Sequence, residues 1–371
     1  MILQVAKSLK MSWERDNFLI RHLERWLEER KSEGFSPRFN DLLITLLLVA
    51  LALGMRLWDL GSRAFHHDES LHAYFSWFLY TTGEFKHNPL MHGPFQFEAT
   101  AILFRIFGDS DFTARLLYVV FGAVLVFLPF FFRKRLGRIG ALAASVLLVF
   151  SPALLYYSRF ARNDILMAVW AFGLIIAMWR YFDEGKNRYL YIATGLLAFM
   201  FATKESAYLV LVTLVGYLFL TLFWSACQRV SPQLDIEGLS PPAAFRRLVS
   251  TFWKETLGNG LSFNGLTRPA IFLLVICSVT LPQWSGALSI LQKATFWPQS
   301  LVLAVQDGSA AGPVGAPLGG GLVIAYVTVI GLMVISALVG CRWRCSVWVR
   351  SAAVFYGIWI LLYTTFFTHW F

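Results

Sequence analysis

Residues 112–132 read FTARLLYVVFGAVLVFLPFFF, a run with one charged residue, Arg115, and the basic stretch RKR follows at 133–135. A helix needs about 20 mostly apolar residues to cross the roughly 30 Å hydrocarbon core of a bilayer. Basic residues directly after such a run are typical of its cytosolic end. This stretch therefore predicts a transmembrane helix whose carboxyl end faces the cytosol.

The rest of the chain repeats this pattern. Of its 371 residues 57% are hydrophobic and 15% are charged, a composition outside the usual range of soluble domains. The apolar runs long enough to span a membrane are 41–60, 112–132, 139–157, 165–181, 189–203, 206–226, 269–288, 320–340 and 352–368. We therefore expect an all-α, polytopic integral membrane protein with about nine transmembrane helices.

The net charge of +10 indicates topology. Most of the 32 Lys and Arg residues lie on alternate connections, at 1–40, 133–138, 180–188, 228–268 and 342–350. Cytosolic connections of membrane proteins carry such an excess, so we place the amino terminus in the cytosol and the protein in the plasma membrane. The basic excess is then explained without a nucleic-acid partner, and no phosphate-binding glycine motif supports a nucleotide substrate.

The pattern divides the chain into an amphipathic, basic cytosolic segment at 1–40 and a transmembrane domain at 41–371. Two outer connections are long, 61–111 and 289–319. The second is rich in Gly, Ala and Pro, which is typical of a mobile cover or linker. The cytosolic connection 227–268 shows no interpretable constellation, and the four cysteines are expected to be packing residues.

The first outer loop, 61–111, differs from the other connections. Five of the seven His residues of the chain lie in it, beside the carboxylates of Asp68 and Glu69. If residues 68–80 form a helix along the membrane interface, Asp68 and His72 share one face. We therefore expect interfacial helices in this loop, with the carboxylates facing a polar cleft.

Two further outer segments carry charge at the ends of apolar runs. One contains Arg159, Arg162 and Asp164, and the other contains Lys204 and Glu205. Ionisable residues in such places are costly unless they are paired or wetted, so they often mark a site. Interfacial snorkelling of each cation is the alternative.

The acidic pair permits two interpretations. Asp68 and Glu69 could cap the helix that follows, or they could be catalytic, with a carboxylate base removing a proton from a hydroxyl. Arg159, Arg162 and Lys204 suit a phosphate leaving group. The other predicted substrate-binding residues are His67, His92, Asp164 and Glu205.

The sequence leaves open whether the site binds a divalent metal ion. Asp68, Glu69, His72 and His92 offer ligands for Mg²⁺, Mn²⁺ or Zn²⁺, although their spacing matches no standard motif, and the alternative is that the histidines hydrogen-bond the substrate. The sequence Asp109-Ser110-Asp111 has the form of a metal-binding D-x-D motif, but we expect it to cap the helix after it.

Several segments in order resemble a known family. They are Asp68-Glu69, a Gly-Pro segment, Ile-Phe-Gly108-x-x-Asp-Phe-x-Ala-Arg115-Leu, Ser158-Arg-x-Ala-Arg162-x-Asp164 and Thr203-Lys204-Glu205. This pattern resembles the GT-C glycosyltransferases of the protein-mannosyltransferase and aminoarabinose-transferase type, glycosyltransferase family 39. It is most similar to a bacterial and archaeal Agl-type subgroup described as flippase activity-associated.

The resemblance implies a hexosyl- or pentosyltransferase that inverts the configuration at the anomeric carbon of the sugar. Its expected partners are membrane lipids, a polyprenyl-phosphate sugar donor and a lipid, glycan or protein acceptor at the outer face. Asp68 would be the base or a metal-linked carboxylate. The alternatives are a non-catalytic partner or translocator of lipid-linked sugars and an outer-face metallohydrolase. Family members usually continue beyond the point where this chain stops, which leaves open a missing acceptor-binding part.

Overall fold

The computed structural model describes residues 39–85, 91–230, 240–257, 265–294, 297–298, 300–305 and 314–366. Almost all regular structure in these residues is helical. The helices are α1 (Phe39–Leu57), α2 (His67–Thr82), α3 (Phe95–Phe107), α4 (Asp111–Phe131), α5 (Arg133–Phe150), α6 (Pro152–Tyr157), α7 (Asp164–Glu184), α8 (Arg188–Phe201), α9 (Ser206–Val230), α10 (Pro241–Leu257), α11 (Arg268–Thr280) and α12 (Gly320–Tyr363). The predicted amphipathic segment at 1–40 lies almost entirely outside the described residues.

Six helical stretches of the described chain are long and apolar enough to cross a membrane. They are Asn40–Leu57, Asp111–Phe131, Asp164–Glu184, Ser206–Ser225, Arg268–Lys293 and Gly320–Tyr363. The protein is therefore an all-α, multi-pass membrane protein, as predicted. The predicted span 189–203 corresponds to the shorter apolar helix α8.

The predicted span 139–157 is divided. Gly137 interrupts α5 with a positive φ of 71°, and α5 ends at Phe150. Ser151 then caps α6 through its hydroxyl, which accepts from the Leu154 N–H, and proline follows at the first position of that short helix. Ser-Pro at a helix boundary is a strong local start signal, so the apolar run becomes two helices.

The 44-residue helix α12 is a hairpin and contains two of the predicted spans. Its backbone leaves helical geometry at Arg344. Ser336 and Trp348, on either side of that point, both hydrogen-bond to Ser278 of α11. A straight helix would separate these two residues by roughly 18 Å. The chain therefore reverses near Arg344, as expected for a short connection between antiparallel spans.

One cysteine prediction is wrong at this reversal. Cys341 and Cys345 form a disulfide, whereas all four cysteines were expected to be packing residues. The turn brings the two cysteines together, a proximity that sequence spacing along a continuous helix does not indicate. Cys277 is free and partly buried.

The hydrophobic core positions the outer loops. Its largest cluster joins α7, α8, α9, α11 and α12, and a second cluster joins α4 to α7. Helix α3 packs on this second cluster, and α2 packs on α3. The first outer loop is therefore built of two helices, as predicted, and α2 covers the predicted range 68–80.

The second outer loop is partly described. The 3₁₀ helix Leu281–Lys293 continues the apolar stretch of α11 and extends into this loop, and the two-residue strands β1 (Leu301–Val302) and β2 (Leu318–Gly319) pair antiparallel. Residues 306–313, the centre of the predicted mobile cover, lie outside the described residues. Helix α10 lies within the connection 227–268, which the charge pattern predicts to be cytosolic.

Candidate functional site

The start of α2 is fixed by a capping box. His66 is the N-cap: its Nδ1 atom accepts from the Asp68 N–H at 3.3 Å, and its own N–H donates to Glu69 Oε2 at 3.1 Å. Glu69 thus performs part of the capping role that was one of the two interpretations of the acidic pair. Asp68 is not the cap, and its carboxylate remains available for other contacts.

The carboxylate of Glu69 is buried, with 0% of the residue exposed. Arg115 donates to both of its oxygens, at 2.9 and 3.1 Å, and the Ala161 N–H donates to Oε1 at 3.0 Å. Arg63 donates to Oε2 at 2.9 Å. Burial by itself raises the pKa of Glu69, but these hydrogen bonds outweigh it and hold the pKa below its usual value.

Asp68 belongs to a chain of alternating charges instead. Its Oδ2 lies 3.1 Å from Nη1 of Arg162, whose Nε lies 3.5 Å from Asp164 Oδ2. Lys204 Nζ donates to the other oxygen of Asp164 at 2.7 Å. The side chains of Asp68 and Arg162 are 37% and 38% exposed, so this network is open to solvent and to a ligand.

The Gly93–Pro94 segment joins the first loop to the turn after α8. The Gly93 N–H donates to the Thr203 carbonyl at 3.2 Å. A Cβ at Gly93 would lie 2.2 Å from the Ala202 carbonyl oxygen, so only glycine permits this approach. His92 is thereby held beside Glu205, with Nδ1 2.7 Å from Oε2.

His72 lies between the two halves of the site. Its Nδ1 is 3.0 Å from the Ala161 carbonyl oxygen, and its ring centroid is 6.5 Å from that of His92. Burial is the largest cause that lowers the pKa of His72, and the electrostatic effect of the neighbouring His92 ring also lowers it. A depressed pKa keeps the imidazole neutral near pH 7, with Nδ1–H directed at the carbonyl.

Most of the predicted residues therefore come together. The residues joined by direct contacts are Asp68, Glu69, His72, His92, Arg162, Asp164, Lys204 and Glu205. Arg159 is directed elsewhere, because its Nη2 donates to the carbonyls of Trp58 and Asp59 at 2.6 and 3.2 Å. His67 is exposed at the first residue of α2.

The predicted metal ligands are not assembled as a group. Within the described residues, no three His, Cys, Asp or Glu side chains are placed so that they could hold an ion. Asp68 pairs with Arg162, Glu69 with Arg115 and His92 with Glu205, which separates the donors. Asp68, Glu69, His72 and His92 are therefore not gathered as a preformed site among the described residues, because each contacts another partner, and their role as metal ligands stays a prediction.

The Asp109-Ser110-Asp111 sequence caps α4, as predicted. Ser110 Oγ accepts from the Thr113 N–H at 3.1 Å. Asp109 accepts from the Trp77 indole N–H at 2.9 Å, which ties α2 to this turn. The motif is therefore structural in this chain.

Sequence reasoning gave no role to two buried arginines. Arg115 holds Glu69 and also donates to the carbonyls of Leu60 and Arg63, both at 2.9 Å. In α1, Arg56 donates to Ser158 Oγ at 2.7 Å and fixes the turn that carries Arg162. Both arginines interrupt apolar runs, and a charge inside such a run is the signal that marks them.

Glu98 in α3 was also missed. It is 2% exposed, and neither carboxylate oxygen has a hydrogen-bond partner among the described residues. Burial raises the pKa of Glu98 to about 9, so the group is neutral near pH 7. No feature of its sequence neighbourhood distinguishes it from an exposed glutamate.

The arrangement has direct chemical consequences. The half-exposed carboxylate of Asp68 pairs with the guanidinium of Arg162. The carboxylate of Asp164 links this guanidinium to the ammonium group of Lys204. Such a site can accept a proton at Asp68 and stabilise an anion at Arg162 and Lys204.

Comparison with protein families indicates which known proteins the chain is similar to. Residues 91–234 match the family model described as dolichyl-phosphate-mannose-protein mannosyltransferase.

The matched range begins just before α3 and ends just past α9. It includes the segments with Arg162, Lys204 and Glu205, whereas Asp68 precedes it. The match supports the superfamily of GT-C glycosyltransferases and does not single out the Agl-type subgroup. No curated protein matches the chain.

Proposed function

We propose that the protein is a membrane glycosyltransferase that transfers a sugar from a polyprenyl-phosphate carrier to an acceptor at the outer face of the plasma membrane. The observation that carries the proposal is the half-exposed Asp68–Arg162–Asp164–Lys204 network. Arg162, Asp164 and Lys204 lie within the stretch that matches the family described as dolichyl-phosphate-mannose-protein mannosyltransferase. A membrane enzyme with this donor needs no nucleotide site.

The chemistry assigns opposite tasks to the two ends of the network. Asp68 accepts the proton of an acceptor hydroxyl as the hydroxyl oxygen attacks the anomeric carbon of the donor sugar. The bond from that carbon to the phosphate oxygen breaks, and its electron pair stays on the phosphate. Arg162 and Lys204 stabilise the charge of the departing phosphate. The configuration at the anomeric carbon is inverted.

Glu69 supports this chemistry indirectly. Its oxygens are occupied by Arg115, Arg63 and backbone N–H groups, and the side chain is buried. We assign it a positioning role: it fixes the start of α2 and the Ala161 peptide, and so sets the distance between Asp68 and Arg162. His92 and Glu205 position the Lys204 turn against the first loop in the same way.

The orientation of the site follows from the charge pattern. The arginines at 133, 135 and 138 stand at the end of the chain's spans opposite to the network. Because basic connections stay in the cytosol, the network is assigned to the outer face. A lipid carrier can present its phosphate there at the membrane surface.

A direct assay tests the proposal. Purified protein in nanodiscs is incubated with radiolabelled polyprenyl-phosphate sugars and a mixture of lipid, glycan and peptide acceptors. We expect transfer of label to an acceptor, or slow release of free sugar when only water is present. A preparation that binds the donor with no turnover of any labelled sugar would overturn the enzymatic function.

The alternative is a translocator or non-catalytic partner of lipid-linked sugars. A translocator needs polar groups across the membrane, whereas the paired charges of the described residues collect at the two ends of the spans, with Arg56 and Ser158 close to one end. Movement of a fluorescent polyprenyl-phosphate sugar across proteoliposomes separates the two functions. Flipping without transfer would favour the alternative.

A further inference from the structure

Next to the network, three aromatic rings form a row at the carboxyl end of α6. The rings of Tyr156 and Phe160 are stacked, with centroids 5.5 Å apart and an interplanar angle of 27°. The imidazole of His66 continues the row, 5.6 Å from Phe160. Phe160 is buried, but Tyr156 is 49% exposed and His66 is also exposed. The row therefore presents an aromatic face to the outside.

Arg63 adds hydrogen-bond donors to this surface. Its guanidinium carbon lies 5.7 Å from the Tyr156 ring centroid and 5.6 Å from that of Phe160. The same side chain donates to Glu69, yet it is 48% exposed. A guanidinium beside a flat ring is held in orientation by the ring and the carboxylate, while its outer N–H groups can reach a ligand.

The row is connected to the candidate base and to Glu69 through backbone N–H groups. His66 accepts from the Asp68 N–H, and the residue after Phe160 donates its N–H to Glu69. Arg162 and Lys204 are linked to Asp68 by the side-chain ion pairs. In an inverting transfer the hydroxyl attacks the anomeric carbon from the side opposite to the departing phosphate.

We propose that Tyr156, His66 and Arg63 form the binding site of a carbohydrate acceptor. The inference rests on the proposed function and narrows its acceptor to a glycan. The C–H face of a sugar ring packs on the exposed aromatic face, and Arg63 donates to its hydroxyl oxygens. A sugar so placed directs a hydroxyl toward Asp68. An ordinary interfacial tyrosine would have neither the stacked partners nor the guanidinium.

Tyr157 is a matched control within the same helix. It is 42% exposed and neighbours Tyr156 in sequence, and its ring meets Tyr156 only edge-on, at 84°. No described contact joins Tyr157 to Arg63 or His66. Tyr156→Ala and Tyr157→Ala each remove a similarly exposed aromatic ring. A difference in sugar affinity between these two variants therefore reports on the contacts of Tyr156 with Phe160 and Arg63.

The test measures sugar binding by saturation-transfer NMR on protein in nanodiscs, with mannotriose and maltotriose as probes. We expect a signal from sugar ring protons on the wild type and on Tyr157→Ala. Tyr156→Ala and Tyr156→Leu should lower the affinity roughly two- to tenfold, the scale of one aromatic contact. Tyr156→Phe, which keeps the ring, should bind as the wild type does.

Three results would overturn the acceptor site. They are no signal from either sugar on the wild type, equal binding by Tyr156→Ala and the wild type, and displacement of the sugars by farnesyl phosphate. Displacement would place the prenyl phosphate carrier on the stack instead. Thermal unfolding of each variant controls for folding.

Donor turnover by the wild type distinguishes failure of the acceptor site from failure of the proposed enzymatic function. Turnover without sugar binding removes only the acceptor site, and sugar binding without turnover removes only the enzymatic function.

Discussion

The two ends of the spans, which we assign to the cytosolic and the outer side from the charge pattern, carry ionic clusters of different construction. On the cytosolic side, Glu184 pairs with Arg180, Lys186 and Arg188, all within four residues of it. On the outer side, Asp68 pairs with Arg162, and His92 pairs with Glu205, across 94 and 113 residues of sequence. The cytosolic cluster follows from one helix end and its loop. The outer cluster exists only because the fold brings four segments together.

The difference separates ion pairs that form locally from ion pairs that depend on the fold. Local i,i+4 pairs form in any helix with that sequence and contribute little free energy. Long-range pairs at the end of a bundle need several elements to be fixed, and the buried Arg115–Glu69 pair fixes them. The following experiments compare variants of the two clusters.

The largest effect is expected for Asp68→Asn. The change is nearly isosteric and removes the proton acceptor, so transfer should fall by about 10²- to 10⁴-fold, the range of general base catalysis. Folding and membrane insertion should be unchanged. The measurement is turnover of a radiolabelled polyprenyl-phosphate sugar, with Glu184→Gln as the cytosolic control. Near-normal turnover of Asp68→Asn would reject Asp68 as the base.

The second experiment concerns stability. Glu69→Ala leaves Arg115 buried without its carboxylate, and breaking one partner of a buried pair costs about 3–5 kcal/mol in the free energy of unfolding. Glu184→Ala breaks a more exposed cluster, for which about 0–1 kcal/mol is expected. Thermal unfolding in detergent compares the two. Equal losses would show that the outer pair does not support the fold more than the cytosolic one.

The third experiment addresses donor binding. Arg162→Ala should weaken binding of the lipid phosphate by about 1.5–3 kcal/mol, the scale of a charged hydrogen bond, or roughly 10- to 150-fold. Arg188→Ala on the cytosolic side should leave donor affinity unchanged. Fluorescence titration with a labelled prenyl phosphate reports both values. An unchanged affinity for Arg162→Ala would assign this residue to the ion-pair network alone.

The smallest effect is expected from chelation. The phosphate charge is assigned to Arg162 and Lys204, so activity should survive thorough EDTA treatment. Loss of turnover that Mg²⁺, Mn²⁺ or Zn²⁺ restores would overturn this assignment. A metal-linked role of Asp68 would then explain the outer cluster better.

The amino-acid sequence by itself determined the class of protein, most membrane spans and the start of α2. These features depend on local properties: the length of an apolar run, the basic residues beside it, and capping groups a few residues apart. The run 139–157 shows the limit, because Ser151-Pro152 starts a new helix inside it. The sequence also indicated most of the residues that meet in the network, although not Arg115 and not the separate place of Arg159, since charges at the ends of apolar runs are costly.

Only the tertiary structure separated the roles of Asp68 and Glu69. They are neighbours in sequence, but α2 turns Glu69 toward Arg115 and leaves Asp68 in contact with Arg162. The tertiary structure likewise placed Arg159 against the end of α1 and brought Gly93 against the Ala202 carbonyl. The physical reason is that burial and ion pairing depend on side chains far apart in the chain. Their distances are fixed by the packing of the helices and not by spacing along any one of them.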